Sequence, residues 1–501
     1  MDIRLDRASD APLYIQIRNQ IREAIRRGDL ATGQRLLPER ELAARLGVNR
    51  TTVVNAYREL AADGLVEAHV GRGTIVSQHW VEDGVGQAAR PISWAQLFAA
   101  QPQWPHAALV QEVAELAAQP GVISFAGGVP APELYPVDAF RRAALEFLES
   151  APEWLASCPA EGLYPLRQWL SAWMGAAGVH STPDHILITT GATQSLDLIA
   201  RAFIEPDDAV IVENATPLGA YQRFHAARAR LIGVPLDGGG MRMDALADAL
   251  SRHRPKFIYT LPTFQNPTGL TLEPARRADL LRLAGEYGVP VIEDDPYSAL
   301  SYDGPAPPPL KSLDGHGHVI YLGTFSKLLF PGLRLGWVLA PRPAVERLAR
   351  IKRGTDLFTG TLAQGVTQLY LQRADWQSHL ERLRAAYRLR RDAMVEALRR
   401  YGPPGLRWRT PQGGFYLWVN LPEGCPARRL LAEAGRAGVA FLPGEAFCVE
   451  GNGQYSMRLN FSYADPEAIG EGIKRLGQAL MAVLARQRDW ADRPTPTRAI
   501  V

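Results

Sequence analysis

The sequence predicts a multidomain chain. A small helical domain with a β-wing comes first, then an α/β domain with a mostly parallel sheet, then a smaller α+β part. Two observations lead there. Residues 12–77 carry helix-spaced apolar residues, a tight turn between two further helices, and two short strands. From about residue 113, strand-like apolar runs alternate with helical stretches, the pattern of a parallel sheet. The length of 501 residues allows two to four domains, at roughly 100–200 residues each. With 47% hydrophobic and 21% charged residues, the composition is that of a soluble globular chain and excludes disorder over most of its length.

In the first domain, Leu13, Ile17, Ile21 and Ile25 mark an amphipathic helix, broken by Gly28 and Gly33. Glu39 to Leu46 forms a second, short helix behind Pro38. Gly47-Val48 makes a tight turn, and Asn49 caps a third helix that runs through Val54, Tyr57 and Leu60 to Gly64. Leu65–Ala68 and Thr74–Val76 are two short strands around Gly71-Arg72-Gly73. Together these are the parts of a winged helix–turn–helix. The domain spans residues 1–77.

Residues 78–112 mix Gln, Gly, Pro, Ala and Trp without a period and are expected to be a linker, packed somewhere through Trp80, Trp94 and Trp104. Strands are expected at 186–189, 209–212, 257–259, 289–292 and 319–322. The stretch 345–480 is helix-rich, with short strands around Phe415–Leu417 and Met457–Phe461. The second domain is therefore 113–485, with a large part at about 160–340 and a small part at about 113–159 and 341–485. Residues 486–501 are expected to be a flexible tail.

The net charge of +3 decides little, and residues 1–77 hold twelve Arg against ten acidic residues. No apolar run approaches the 18 or so residues of a spanning helix, and Met1-Asp2-Ile3-Arg4 lacks a signal-peptide core. Cys158, Cys425 and Cys448 lie too far apart for a disulfide framework or a metal cluster. The expectation is a reduced, cytoplasmic protein with no membrane partner and no metal. Only five of the 55 cations are lysines, so any lysine chemistry has few candidates.

One of them, Lys327, sits in Gly323-Thr324-Phe325-Ser326-Lys327 just after an apolar strand, where α/β sheets bind ligands. Thr324 and Ser326 add hydroxyls and Arg334 a fixed charge, a set suited to a phosphate beside an amine nucleophile. Glu293-Asp294-Asp295-Pro296-Tyr297 also follows a strand, and its carboxylates suit a metal or a cationic heterocycle. Asn266 lies in the loop Gln265-Asn266-Pro267-Thr268-Gly269, and Gly191-Ala192-Thr193-Gln194 opens a helix whose free N–H groups suit phosphate. Each piece alone is more often an ordinary turn or surface residue; their joint order carries the weight.

In that order of motifs, residues 113–480 resemble the fold-type I aminotransferases, which use pyridoxal 5′-phosphate. The resemblance implies the following roles. Lys327 forms the Schiff base with the cofactor, and Asp294 pairs with its pyridine nitrogen, so that the ring acts as an electron sink. Asn266 and Tyr297 hydrogen-bond its phenolic oxygen. Ala192, Thr193, Thr324, Ser326 and Arg334 form the phosphate cup. Arg458, in Met457-Arg458-Leu459-Asn460-Phe461, forks onto a ligand's α-carboxylate. Gly127-Gly128 resembles the segment lying over the substrate. Two positions depart from the family. Ser157-Cys158 stands where a Tyr-Gly pair is common, and Pro217 stands where an aromatic residue stacks on the ring, with Tyr221 further on.

In the first domain, contacts to DNA come from the start of the second helix of the motif, here Asn49-Arg50-Thr51-Thr52. Arg50 suits a guanine edge or a phosphate, and the threonines a phosphate or a thymine methyl. Arg40 suits the DNA backbone, and Arg72 at the wing tip suits the minor groove. The segments Pro12-Leu13-Tyr14, Gly33-Gln34-Arg35-Leu36, Glu39-Arg40-Glu41-Leu42-Ala43, Leu46–Val53 and Gly71-Arg72-Gly73 resemble the GntR-type winged helix–turn–helix. Leu37-Pro38 departs from the usual Pro-Ser or Pro-Thr.

A GntR-type reader joined to an aminotransferase-like domain resembles the MocR subfamily of bacterial regulators. That resemblance implies a homodimeric transcription factor that binds operator DNA and pyridoxal 5′-phosphate and senses an amino effector, or the cofactor itself, through Lys327. The alternative is a working aminotransferase with an appended DNA-binding domain. Phe264–Gly269, Pro443-Gly444-Glu445-Ala446-Phe447 and Arg458 are similar to aminoadipate-type transaminases, so whether the chain turns over substrate stays open.

Overall fold

The computed structural model describes residues 3–7, 9, 11–69, 73–77, 98, 102, 104–150, 152–451 and 453–491. The chain forms two compact units, residues 1–99 and 100–501.

In the first unit, helices Leu13–Arg26, Glu39–Leu46 and Arg50–Ala62 enclose one apolar core. Ile17, Ile21 and Ile25 face Val53, Ala56 and Leu60 in it, so the four-residue spacing in the sequence is the buried stripe. Gly47 turns the chain at φ 63°, a left-handed conformation that glycine adopts without strain. Asn49 caps the third helix, its side-chain oxygen accepting from the Thr51 N–H at 3.0 Å. Val66–His69 and Gly73–Val76 pair antiparallel, from Val66 opposite Val76 to His69 opposite Gly73. Arg72, the wing-tip residue, lies outside the described residues.

The second unit is built on a seven-stranded sheet. Across it run Ile186–Thr189, Gly336–Leu339, Val319–Thr324, Val291–Asp294, Ile258–Thr260, Ala209–Glu213 and Arg230–Val234. Gly336–Leu339 is antiparallel to both neighbours; every other pairing is parallel. Two of these strands, Arg230–Val234 and Gly336–Leu339, lie beyond the five expected runs. The parallel strands present their C-terminal ends on one edge, where such sheets bind ligands. The smaller part is a four-stranded antiparallel sheet in the order Arg407–Trp408, Tyr416–Asn420, Ser456–Asn460, Leu442–Pro443. Helices Trp376–Tyr401 and Pro466–Ala491 pack together over it, burying Met394, Leu398, Ile473 and Leu476 in the core shared by both parts.

Two expected boundaries move. A helix, Ala107–Ala117, begins inside the stretch 78–112 read as linker, and it buries Leu109 and Val113. Only the first of these lies before residue 112, so the stretch alone shows no helical period. Trp104 is buried just ahead of it, whereas Trp80 and Trp94 lie outside the described residues. The last helix continues to Ala491, past the expected start of a tail at 486. No helix among the described residues is long and apolar enough to cross a membrane.

The Asn49 cap gives a direct test. Asn49→Ala should lower the unfolding stability of the first unit by about 1 kcal/mol, and Asn49→Ser should restore most of it. Denaturant titration followed by circular dichroism measures this, and an Ala variant as stable as the Ser variant would contradict the assignment.

Candidate functional site

The site residues of the second unit come from strand ends and from the small sheet. Asp294 ends the strand Val291–Asp294 and is buried. Its Oδ2 accepts from the Tyr259 hydroxyl at 2.7 Å, whereas its Oδ1 is buried with no partner among the described residues. Burial pushes the carboxyl up to about 7; the Tyr259 hydrogen bond and the Lys327 charge oppose this and Asp295 adds to it. A buried carboxylate oxygen without a donor is costly, and a protonated pyridine N–H is a donor of the right kind.

Lys327 follows the strand Val319–Thr324, and its Nζ donates to the Gly128 carbonyl at 2.5 Å. Burial lowers this amine; Tyr416 and Asp294 oppose the shift, and Arg458 and Arg334 add to it. A less basic amine is a better nucleophile near neutral pH. Arg334 donates from Nη2 to the Thr190 carbonyl at 3.1 Å, beside the helix Ala192–Phe203. Gly191, at φ 86°, precedes that helix, and a Cβ there would meet Arg334 Nη2 at 3.1 Å. The guanidinium thus lies against the helix start formed by Ala192 and Thr193, an anion-binding arrangement. The Ser326 N–H donates to Thr324 Oγ1 at 3.1 Å, which holds both hydroxyls close together. These donors, with Asp294, fit a phosphorylated pyridine.

Arg458 lies in the strand Ser456–Asn460 and is buried. Its guanidinium sits 4.2 Å from the Tyr416 ring centroid and 4.8 Å from that of Phe447. Nη1 donates to Asn266 Oδ1 at 3.0 Å, and Nη2 to the Gly127 carbonyl at 3.0 Å and to the Ala126 carbonyl. It forms no ion pair among the described residues, and its Nε is buried without a partner. A buried guanidinium without a counter-ion has the charge and the donors to hold a carboxylate. Tyr297 is buried and donates to the Tyr416 hydroxyl at 3.4 Å. Lys327, Arg458, Asn266 and Tyr297 are therefore joined through Tyr416 and the segment Ala126–Gly128.

Sequence reasoning missed several members. Tyr259 reads as a core residue of an apolar strand, and Tyr416 as one more aromatic after Gly413-Gly414-Phe415. Asp356, on the helix Arg342–Asp356, accepts from Gln194 Nε2 at 2.7 Å and from the buried Lys352 at 2.7 Å, and so braces the first turn of the helix Ala192–Phe203 from 162 residues away. Only the period of a helix marks it in the sequence. Of the two departures, Ser157 is exposed, and Pro217 precedes the helix Leu218–Ala226. Tyr221 on that helix packs edge-on against Trp104 and His106.

In the first unit, Arg40, Asn49, Arg50 and Thr51 are exposed and Thr52 is half-buried. Arg50 is ion-paired to Glu39 at 2.9 Å, and Asn49 spends its side-chain oxygen on the cap. The Asn49 side-chain oxygen and the Arg50 guanidinium are thus both engaged within the unit, the first as an acceptor and the second as a donor.

The raised Asp294 carboxyl predicts a pH dependence. A ring N–H prefers the ionised carboxylate, so cofactor affinity should fall as pH drops through about 7. Thermal stabilisation by added pyridoxal 5′-phosphate should be larger at about pH 8 than at about pH 6, and Asp294→Asn should remove the difference. An equal difference in the variant would assign it elsewhere.

Comparison with known proteins agrees with this fold. Residues 120–476 match the model of aminotransferase class I and II, and residues 13–76 match that of bacterial regulatory proteins of the gntR family. Aromatic-amino-acid aminotransferase 1 of Thermococcus litoralis is 39% identical over 78% of this chain and 96% of its own. The HTH-type transcriptional regulator YisV of Bacillus subtilis is 33% identical over 93% of this chain and 96% of its own. The probable rhizopine catabolism regulatory protein MocR of Rhizobium meliloti is 27% identical over 96% of each. Among solved structures, the α-aminoadipate aminotransferase LysN of Thermus thermophilus, complexed with N-(5′-phosphopyridoxyl)-L-leucine, matches with a TM-score of 0.73 and 37% identity, covering 79% of this chain and 100% of that one. The chain belongs to the aminotransferase class I and II family and carries an N-terminal gntR-family DNA-binding domain, the organisation of the MocR-type regulators.

Proposed function

We propose that the chain is a homodimeric, pyridoxal-phosphate-dependent transcriptional regulator, in which an amino effector bound at Lys327 and Arg458 alters operator binding. One observation carries the reading: a single chain joins a helix–turn–helix to a buried cluster that offers an amine, an unpaired carboxylate oxygen and a guanidinium without a counter-ion among the described residues. When bound, pyridoxal 5′-phosphate supplies an aldehyde that condenses with amines and a ring that withdraws electrons. The residues of the chain do the rest. Asp294 holds the proton of the ring nitrogen. Arg334, Ser326, Thr324 and the amides of Ala192 and Thr193 hold the phosphate. Asn266 and Tyr297 orient the phenolic oxygen. Arg458 exchanges the backbone carbonyls of Ala126 and Gly127 for the effector's carboxylate, which frees that segment to move.

In the first unit, Arg50, Thr51 and Thr52 face the major groove and Arg40 and Arg72 the sugar–phosphate backbone and minor groove. Two copies present two helix starts to two half-sites. An effector shifts DNA binding only by binding the two dimer arrangements unequally, and turnover is not needed for that.

A second reading has specific support. Asn266, Asp294, Tyr297, Lys327 and Arg458 stand together, which is the set a working transaminase of the aminoadipate type requires. Steady formation of a 2-oxo acid from an amino acid would favour that reading, with DNA binding as its regulation. Spectral change without sustained product would favour the sensor.

Two variants test the proposal. Lys327→Ala should keep the fold and basal DNA affinity but lose the effector's influence on DNA binding, measured by fluorescence anisotropy; an unchanged response would sink it. Arg50→Ala should weaken operator binding by about 1–3 kcal/mol and flatten its sequence preference. Equal losses on operator and random DNA would limit Arg50 to a phosphate contact.

A further inference from the structure

We propose that Glu213 is a positioning residue of the cofactor site. Through the Gln265 side chain it holds the turn that aims Asn266 at the cofactor's phenolic oxygen. The inference rests on the cofactor reading above, which gives Glu213 no part.

Glu213 ends the strand Ala209–Glu213 and is buried. Its two oxygens accept three hydrogen bonds, all from neutral groups. Oε1 accepts from the Thr260 hydroxyl at 2.8 Å, and Oε2 from the Leu261 N–H at 3.3 Å and from Gln265 Nε2 at 3.0 Å. Burial pushes the carboxyl up to about 7; the bonds from Gln265, Thr260 and Leu261 oppose this and Asp294 adds to it. An apolar side chain of the same size is cheaper to bury at a strand end. The carboxyl is therefore read by what its bonds hold in place.

What they hold is the Gln265 amide, which is buried and fully used. Besides Glu213, its Nε2 donates to the Ala215 carbonyl at 2.6 Å, and its Oε1 accepts from the Thr268 N–H at 2.8 Å and the Thr268 hydroxyl at 2.6 Å. Two acceptors on one side and two donors on the other leave that amide a single orientation. The main chain closes the same turn, with the Gln265 N–H donating to the Leu270 carbonyl at 2.8 Å and the Gly269 N–H to the Gln265 carbonyl at 2.6 Å. Asn266 sits inside this turn. Its Oδ1 accepts from Arg458 at 3.0 Å, and its Nδ2 has no partner among the described residues. The amide thus keeps its donors for the phenolic oxygen, and Gln265 and Thr268 on either side set where they point.

A donor at the phenolic oxygen stabilises negative charge there. It lowers the pH at which the proton shared by that oxygen and the Lys327 nitrogen is lost. A slack turn withdraws the donor, and the proton then leaves at higher pH.

The test follows the visible band of the cofactor-loaded full chain through a pH titration. Glu213→Leu and Glu213→Gln both remove the charge. The glutamine keeps an acceptor for Gln265 and Leu261 and turns a donor toward the Thr260 hydroxyl, whereas the leucine keeps neither. The band's midpoint should therefore lie higher in Glu213→Leu than in Glu213→Gln, by on the order of half a pH unit. Gln265→Leu, which leaves the Thr260 and Leu261 bonds of Glu213 in place, should raise the midpoint above the wild type's by a similar amount. It carries the test if Glu213→Leu does not fold, and an unchanged midpoint there would overturn the proposal. In an Asn266→Ala background the difference between the two Glu213 variants should vanish, because the route runs through Asn266. Equal midpoints in those two variants, or a difference that survives in Asn266→Ala, would overturn the proposal while leaving the cofactor reading intact. A wild-type chain with no visible band after addition of pyridoxal 5′-phosphate would overturn both.

Discussion

A carboxyl group buried at the end of a parallel strand, with one oxygen paired and one not, is the constraint around which the second unit is arranged. Asp294 Oδ2 is held by Tyr259 from the neighbouring strand, and Oδ1 is left without a donor. Burying such a group has a cost that only a matching donor removes. Burial and the adjacent Asp295 raise the carboxyl, and Lys327 lowers it, so its charge depends on what the pocket holds. Large unpaired polarity of this kind marks a site kept ready for a ligand rather than a core optimised for stability.

Arg458 poses the same problem with the opposite sign. Its guanidinium is clasped between two aromatic faces and satisfied in part by backbone carbonyls of residues 126 and 127. Carbonyls carry only partial charge, so an incoming carboxylate is a better partner. The segment that supplies them follows the short strand Ile123–Ser124, which pairs with Val439–Ala440 of the small part. The Phe125 carbonyl also accepts from the Asn460 N–H. Lys327 and Arg458 thus meet at the backbone of Ala126–Gly128, which is tied to the small part before it at Phe125 and after it at Val129, whose carbonyl accepts from the Ser462 hydroxyl.

The start of the helix Ala192–Phe203 is braced differently. Lys352 is fully buried and ion-paired to Asp356, which also accepts from Gln194. A pair with only one buried partner adds little net stability, but removing Asp356 would leave the Lys352 charge uncompensated. Its value here is positional: it fixes the side chain two residues into the helix Ala192–Phe203, whose start faces Arg334. Pro217, where a stacking ring is usual, instead precedes the helix that carries Tyr221 toward Trp104 and His106.

Much of the architecture was legible because it repeats. The Ile17, Ile21 and Ile25 stripe, the Asn49 cap and the apolar runs of the sheet each follow from local periodicity or a single backbone hydrogen bond. The nearness of Lys327 and Asp294 was legible too, because strand ends on one edge of a parallel sheet come together. What periodicity did not reveal was pairing over long separations. Tyr259 against Asp294, Tyr416 against Arg458 and Tyr297, and Asp356 against Gln194 join residues whose local sequence looks like ordinary core or surface. The helix Ala107–Ala117 was hidden for a related reason, since its second buried residue lies beyond the segment that looked like linker. By itself the sequence determined which chemical groups the chain can offer and along which elements. Only the tertiary structure decided which of them are left buried without a partner, because an unmet charge is a property of the surroundings and not of the residue.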